Sequence, residues 1–487
     1  MSEIFVIPGV YLPAVLPETI VAAGGLTLLL AGSSRRRVRP HGLVIGALLF
    51  LAAGIVVTIV SSGADRFAFD GTVARDGFAT FLKLVFLSAA LLSTLASFSF
   101  LNAEQEVPVT EYMGLMLFAT AGMMLMASAA DLIVVFLALE TFSLALYVLA
   151  AIRRRRLDAQ EGALKYFLTG SFASAFFLYG IALVYGGTGS TRLEVVASHL
   201  KGTVEAEPLV LAGVSLLVVG LVFKVAAVPF HMWTPDVYQG APSPVTGFMA
   251  AGSKAAGFAV LLRVLVTMFP SVQDQWRPAL GVIAVITMIA GSFIAVAQTN
   301  VKRMLAYSAI AHSGFLLIGV IAASDRGISG SLFYLAIYSL VIVAAFVVVY
   351  IVGGPGEQNQ NLADFKGLGS RRPLVAGVFG LLLLSLAGVP PTGGFWAKFE
   401  VFSAGVDSDL TLLVVVGVLT SSVAAFFYLR LIVLMYLEDA PEWHVGHPPT
   451  PATGGVVLVV VAAVVILMGV FPTPLIDFAR ESQILLR

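Results

Sequence analysis

Lys224, His231, Asp236 and Lys254 fall in one largely apolar stretch, GLVFKVAAVPFHMWTPDVYQGAPSPVTGFMAAGSK at 220–254, together with Pro229, Pro235, Pro242 and Pro244. A lysine at bilayer depth costs about 3 kcal/mol on insertion scales. Two of them flanking a proline-broken link point to a task that needs an amine kept from water. Glu140, in ALETFSLALYVL, and Lys398, just after PPTGG, extend the set, and His312, in LAYSAIAHSGFLLIG, adds an imidazole. A lysine in an apolar setting releases its proton more readily, and a nearby carboxylate opposes this. Moving Glu140 toward or away from Lys224 would therefore switch the lysine's proton affinity, as a proton pump with a relay at the bilayer centre requires. The competing explanation is that both lysines snorkel from helix ends, and depth decides between the two.

The elements that must position these groups are membrane spans. The 487-residue chain is 59% hydrophobic and 11% charged, against roughly 25% charged in soluble domains. Its 28 basic and 28 acidic residues create no global field for nucleic acid. It has no cysteine, which excludes disulfides, thiolate-held metal and iron–sulfur clusters on this chain. Neither a phosphate loop nor a convincing dinucleotide fingerprint occurs. The N-terminus lacks a basic n-region and a cleavage site, so the first apolar span is expected to be retained.

A span needs about twenty apolar residues. The hydropathy pattern predicts an all-α polytopic protein with fourteen spans, at 10–32, 42–62, 77–99, 111–129, 131–151, 164–187, 208–240, 243–269, 279–298, 304–323, 329–352, 374–406, 410–436 and 453–475. Segments 208–240 and 374–406 are too long for one straight crossing and carry Pro and Gly clusters near their middles, so both read as broken helices. They are spans seven and twelve, cross in opposite directions, and each pairs a lysine with a proline break. Matching interruptions in opposed halves mark inverted-repeat transporters. The expected layout is an N-terminal set at 1–110, a first five-helix repeat at 111–269, a second, inverted one at 279–436, and a final helix in 453–487. With the N-terminus outside, the short inner loops hold thirteen basic residues (Arg35, Arg36, Arg37, Arg39, Arg153 to Arg156, Lys302, Arg303, Lys366, Arg371, Arg372) and the outer segments eight. The bias predicts both termini outside.

Lys224 is the seventeenth residue of the 33-residue segment 208–240, and Glu140 the tenth of 131–151. Lys254 lies eleven residues into its span, about 17 Å deep at 1.5 Å per residue. None of them easily reaches a headgroup. Lys398 follows the second break by a turn, in the outer half. His312 and His231 are each balanced between relay and structural roles. His41, His199, His444 and His447 are expected in loops, and no pair of histidines is spaced for haem. Glu18 and Lys83 lie nearer span ends, where snorkelling is at least as good an account. Lys165 is expected to begin span six and face the interface, and Asp236 to pin its loop. The 353–373 stretch reads as a connector. The 47 glycines allow close helix packing but carry no information on substrate.

HMWTPDVYQGAPSPVTGFMAAGSKAAG, ALETFSLALYVL, NVKRMLAYSAIAHSGFLLIG and GVPPTGGFWAKFEVF together resemble the antiporter-like subunits of respiratory complex I, over about residues 110–435. The motif at 231–244 is the specific one. DVYQGAP, with a lysine at 398 where some sister subunits carry glutamate, resembles one branch of that family. The resemblance implies fourteen helices with inverted five-helix repeats and broken helices seven and twelve. It matches Glu140 to the glutamate of helix five, Lys224 to the lysine of helix seven, Lys254 to that of helix eight and Lys398 to the exit-side lysine of helix twelve. His312 matches a polar position in helix ten more loosely. It also implies a bacterial cytoplasmic (inner) membrane location, with an adjacent antiporter-like M subunit and small K, J and A-type subunits as partners. NADH, FMN, iron–sulfur clusters and quinone are then expected on other subunits, with no cofactor or metal on this chain. The chain ends soon after span fourteen, without the long lateral helix of the L subunit.

Three other readings compete. A subunit of a multi-subunit cation/proton antiporter would share the helices but lack redox coupling. A stand-alone solute transporter would present a midplane substrate cavity instead of a row of lysines. A purely structural anchor gives no reason for three central lysines.

Overall fold

The structure is a computed structural model that describes residues 11–33, 40–63, 65–201, 208–439, 450–482 and 484–485. Arg35, Arg36, Arg37, Arg39, His444, His447 and Arg487 lie outside the described residues. The chain runs through α1 (Leu16–Ser33), α2 (Pro40–Val60), a small antiparallel hairpin of β1 (Arg66–Ala68) and β2 (Val73–Arg75), α3 (Gly77–Ala103), α4 (Val109–Ser128), α5 (Leu132–Ala150) and α6 (Leu157–Thr188). There follow α7 (Leu193–Lys201), α8 (Pro208–Lys224), α9 (Trp233–Gly240), α10 (Ser243–Met268), α11 (Gln273–Val296), α12 (Val301–Ala322) and α13 (Asp325–Gly353). The last are α14 (Pro373–Ala387), α15 (Gly393–Asp407), α16 (Thr411–Leu437), α17 (Ala452–Val470) and α18 (Thr473–Glu481).

Among the described residues, eleven helices are long and apolar enough to cross a membrane; α8, α14 and Leu16–Gly32 are shorter apolar helices. Side chains set where several begin. Asp76, Asp131, Asn300 and Ser324 each accept a hydrogen bond from a first-turn N–H, opening α3, α5, α12 and α13. The bundle is layered. Every residue of Ser243–Met268 is buried, as is 94% of the most apolar window of α12 and of α13. The corresponding share is 33% for α2, α6 and α17, whose outward faces are apolar, as a lipid-facing surface requires. α10 contains two π-helical stretches, Met249–Ser253 and Leu261–Met268, around Lys254, a feature that clusters at functional sites.

Both long segments are broken, as the proline pattern predicts. α8 stops at Lys224, the chain passes through Val225–Met232, and α9 resumes at Trp233. α14 stops at Ala387, Gly388 turns with φ of +85°, and α15 begins at Gly393. Gly394 is required there, because a Cβ would sit 1.8 Å from Ser385 O.

Several boundaries differ from the hydropathy reading. α6 begins at Leu157, well before 164, because LDAQEGA is helical; Asp158 favours its positive N-terminal end. Lys165 is thus inside α6, where it pairs with Glu161 and Asp236 at 2.7 Å each. The 188–207 link contains amphipathic α7, so His199 is on a helix; His41 is likewise in α2, edge-on to Phe98. Span 453–475 ends at Val470, and α18 is a separate helix.

Candidate functional site: a row of buried cations

Lys224 is the last residue of α8, so its ammonium sits at the negative end of that half-helix dipole. Its Nζ has no hydrogen-bond partner among the described residues. Four rings surround it instead, Phe142 at 5.2 Å, Tyr147 and Tyr166 at 5.6 Å and Phe223 at 5.8 Å. Their electron-rich faces attract a cation where water is scarce. Tyr166 stacks on Trp233 at 4.3 Å, and Trp233 Nε1 donates to Phe223 O across the break at 3.3 Å. Glu140, on α5, is half-buried, accepts a hydrogen bond from Ser174 on α6, and is within electrostatic range of Lys224. The two side chains form no ion pair.

Lys254, from the middle of α10, donates to Ala309 O at 2.5 Å and to Ser313 Oγ, both on α12. Ser313 Oγ in turn donates to Val225 O, 2.5 Å away, in the first residue of the break. Lys254 also lies 5.8 Å from the Tyr338 ring, which packs 5.1 Å from the His312 ring. His312 is buried between two hydroxyls: Nδ1 pairs with Tyr334 OH, and Nε2 with Tyr428 OH at 3.1 Å. A neutral imidazole donates from one nitrogen and accepts at the other, so the ring joins the two tyrosines. Phe315 packs edge-on 5.7 Å from His312, and Lys398 stands over the Phe315 ring at 5.0 Å.

Lys398, on α15, donates to Ala387 O, at the end of α14, at 2.8 Å and to Ser421 Oγ at 2.7 Å. It lines an open cavity of about 520 Å³ shared with Arg326, Phe395, Phe399, Asp407 and Ser421. The second break thus has a lysine tied to the carboxyl end of its first half-helix, while the first break has a lysine at that end. His231 lies in the first break, half-buried, with Nδ1 unpartnered among the described residues. No hydrogen bond joins its ring to Lys224 or Lys254. Asp236 bridges Lys165 and Arg303, each at 2.7 Å, which pins the α9 segment.

The arrangement brings Lys254, His312 and Lys398 into one sequence of contacts through the molecule's interior, and Ser313 ties Lys254 to Val225, next to Lys224. Lys224, Lys254, His312 and Lys398 are 3%, 3%, 3% and 6% exposed, so snorkelling does not account for them. Sequence reasoning missed the hydroxyls and rings that connect them: Ser313, Tyr334, Tyr338 and Tyr428. It also misread Glu18 and Lys83, which form a buried ion pair at 2.7 Å with side chains 7% and 5% exposed. A bidentate pair of Arg263 with Asp76, at 2.8 and 2.9 Å, was missed as well, although an arginine within LLRVLVTM is a signal in itself. A further buried carboxylate, Glu357, lies in the 353–373 connector. Burial pushes its carboxyl up, but Lys302, Arg153 and the hydrogen bonds from Ser243 outweigh this and hold it below the usual carboxylate range. No group of three or more His, Asp or Glu residues gathers for a metal among the described residues.

The two broken crossings and the interior cations define an antiporter-type membrane subunit. Residues 129–424 match the family model described as NADH:quinone oxidoreductase/Mrp antiporter, TM. A relative from Solibacter usitatus, NADH-quinone oxidoreductase subunit N 1, is 43% identical over 96% of both chains. A chain of respiratory complex I from Thermus thermophilus superposes with a TM-score of 0.81 at 35% identity, covering 96% of this chain and all of that one. A chain of the Mrp complex from Dietzia matches with a TM-score of 0.83 at 20% identity, over 96% of both chains, which shows a shared fold alone. The chain belongs to the NADH-quinone oxidoreductase subunit N family.

Proposed function

We propose that this chain is a proton-translocating membrane-arm subunit of NADH–quinone oxidoreductase and that Glu140, Lys224, Lys254, His312 and Lys398 carry the proton. The observation that carries this reading is the series of contacts from Lys254 to Lys398 through Tyr338, His312 and Phe315, with Ser313 tying Lys254 to Val225, the residue next to Lys224. An ammonium caged by aromatic rings without a hydrogen-bond acceptor is held by long-range electrostatics. Its charge state therefore responds strongly to the position of Glu140. When Glu140 moves away, Lys224 releases its proton toward Lys254. His312 joins the Lys254 and Lys398 environments, and Lys398 passes the proton to its open cavity. His231 serves as a side branch at the first break.

The assembly follows from the same reading. Eleven long spans and three shorter apolar helices among the described residues support fourteen crossings; the reading adds two inverted five-helix repeats around α8–α9 and α14–α15 and both termini outside a bacterial cytoplasmic membrane. An M-type subunit and small K, J and A-type subunits would be neighbours. NADH oxidation and quinone reduction, with FMN and iron–sulfur clusters, would take place on partner subunits; this chain has no thiolate with which to hold a cluster. The cation/proton antiporter reading shares the fold, but the 43% identity to a subunit N relative against 20% to the Mrp chain favours redox coupling.

The test is Lys224→Met in the assembled complex, reconstituted in vesicles. Electron transfer from NADH to quinone and the pH gradient are measured together. Loss of the gradient-to-electron ratio in a complex of normal subunit content supports the reading; an unchanged ratio rejects it.

A further inference from the structure

Glu357 sits in the turn after α13, with φ of +48°, directly after Gly356, and both Gly354 and Gly356 also have positive φ, of +66° and +77°. The turn folds its side chain inward until it is 0% exposed. One carboxylate then receives bonds from three separate elements. Arg153 Nη2 donates to Oε1 at 3.3 Å, three residues after the end of α5. Ser243, the first residue of α10, donates through its N–H at 2.9 Å and its hydroxyl at 2.8 Å. Lys302, the second residue of α12, donates to Oε2 at 3.1 Å. These are the helices that carry Glu140, Lys254 and His312.

The surroundings close the network. Arg153 also donates to Glu104 at 3.0 Å, Lys302 to Ala241 O at 2.6 Å, and Gly356 N to Glu104 at 3.2 Å. Two carboxylates thus balance two cations. A carboxylate that accepts this many bonds stays ionised through neutral pH, so Glu357 does not itself take up a transported proton. A buried charge that can be neither released nor hydrated fixes the positions of its partners, because losing any of them leaves an uncompensated ion.

We propose that Glu357 is a positioning residue: one fixed anion that locks the ends of α5, α10 and α12 together and so sets the spacing of Glu140, Lys254 and His312. The effect on proton transfer rests on the relay reading above, whereas the lock itself does not. A relay spaced by hydrogen-bond and ring contacts loses transfer efficiency when its helices shift by a fraction of an ångström.

Two readouts test it. The chain has no cysteine, so spin labels at Arg154→Cys and Gln358→Cys, both exposed positions, report the distance between the α5–α6 turn and the connector in nanodiscs. One narrow distance distribution is expected in the parent chain. It should broaden in Glu357→Gln, which leaves a cationic excess, and narrow again in the charge-balanced Glu357→Gln/Lys302→Met. In the assembled complex, Glu357→Gln should lower the proton-to-electron ratio by about twofold or more, and the double variant should recover at least part of it. An unchanged distance distribution in Glu357→Gln overturns the lock, whatever Lys224→Met does. A broadened distribution with an unchanged ratio overturns its role in the relay. Where Glu357→Gln fails to accumulate, the double variant decides: normal accumulation with a narrow distribution supports the lock, and equal loss rejects it.

Discussion

Ser313 joins Lys254 to the broken crossing. Its hydroxyl accepts from Lys254 Nζ and donates to Val225 O at 2.5 Å, the carbonyl just after Lys224. One hydroxyl is therefore shared between the environments of two buried lysines. Ser313→Ala should remove both bonds and leave a buried donor and a buried carbonyl short of partners, which costs about 1–3 kcal/mol. The expected outcome is a lower unfolding temperature for the chain and a reduced gradient-to-electron ratio. Ser313→Thr keeps the hydroxyl and should restore most of the ratio. Equal coupling in the alanine variant and the parent, in vesicles, would remove Ser313 from the path.

Tyr166 separates what a ring does from what its hydroxyl does. Its ring faces Lys224 at 5.6 Å and stacks on Trp233 at 4.3 Å. Its hydroxyl stands beside Ser253 without a hydrogen bond of ordinary geometry. Tyr166→Phe should therefore change stability by less than about 1 kcal/mol. Tyr166→Ala removes the stack and one wall of the lysine cage, with a cost of about 3–5 kcal/mol. Thermal unfolding of the two variants side by side checks this; similar losses would mean that the hydroxyl, not the ring, supports the site.

The legible part of this architecture is what hydrophobicity and proline dictate. Length and apolar content mark the spans, and Pro229 and Pro390-Pro391 mark the breaks. A lysine seventeen residues into a 33-residue apolar segment is recognisable from depth alone. The pairings were not legible, because they join residues far apart in the chain. Lys83 and Glu18 are each an isolated charge in sequence, and only the folded bundle, in which α1 and α3 both pack against α2 and α4, makes them a pair. Glu357, in a polar Gly-rich turn, has the composition of a solvated loop, and its burial follows from two cations, Arg153 and Lys302, and the Ser243 hydroxyl brought in by other parts of the chain. The same holds for Arg153: it belongs to an RRRR run that suggests an exposed basic face, yet it is 6% exposed.

The acid limb of stability should depend on Glu357. Its carboxyl is held below the usual range, mainly by Lys302 and Arg153 working against burial. A carboxyl depressed in the folded chain contributes stability that is present above its unfolded value, about pH 4.3, and is lost as pH falls through the folded value. The difference in unfolding temperature between the parent and Glu357→Gln should therefore hold constant between about pH 5 and 8 and close below about pH 4. Thermal unfolding in detergent across that range checks the sign. A difference that grows toward acid would mean that the carboxyl is raised, not lowered.

The Arg263–Asp76 pair offers the last test, because here removing one charge and removing two should give different results. Arg263 Nη1 and Nη2 donate to the two oxygens of Asp76 at 2.8 and 2.9 Å, and Nε donates to Ala127 O at 3.0 Å. The side chains are 1% and 0% exposed. Asp76 also caps α3 through Ala79 N and receives Leu485 N at 3.1 Å, so one carboxylate ties α10, α3 and the C-terminal residues together. Breaking a buried pair from one side costs about 3–5 kcal/mol, whereas replacing both partners by apolar groups is often close to neutral. Asp76→Asn should therefore abolish accumulation of the folded chain or lower its unfolding temperature sharply. Asp76→Asn/Arg263→Met should recover much of that loss, because no buried charge is left unpaired and asparagine keeps the α3 cap. Equal losses in the single and double variants would show that the charge pair does not carry the stability.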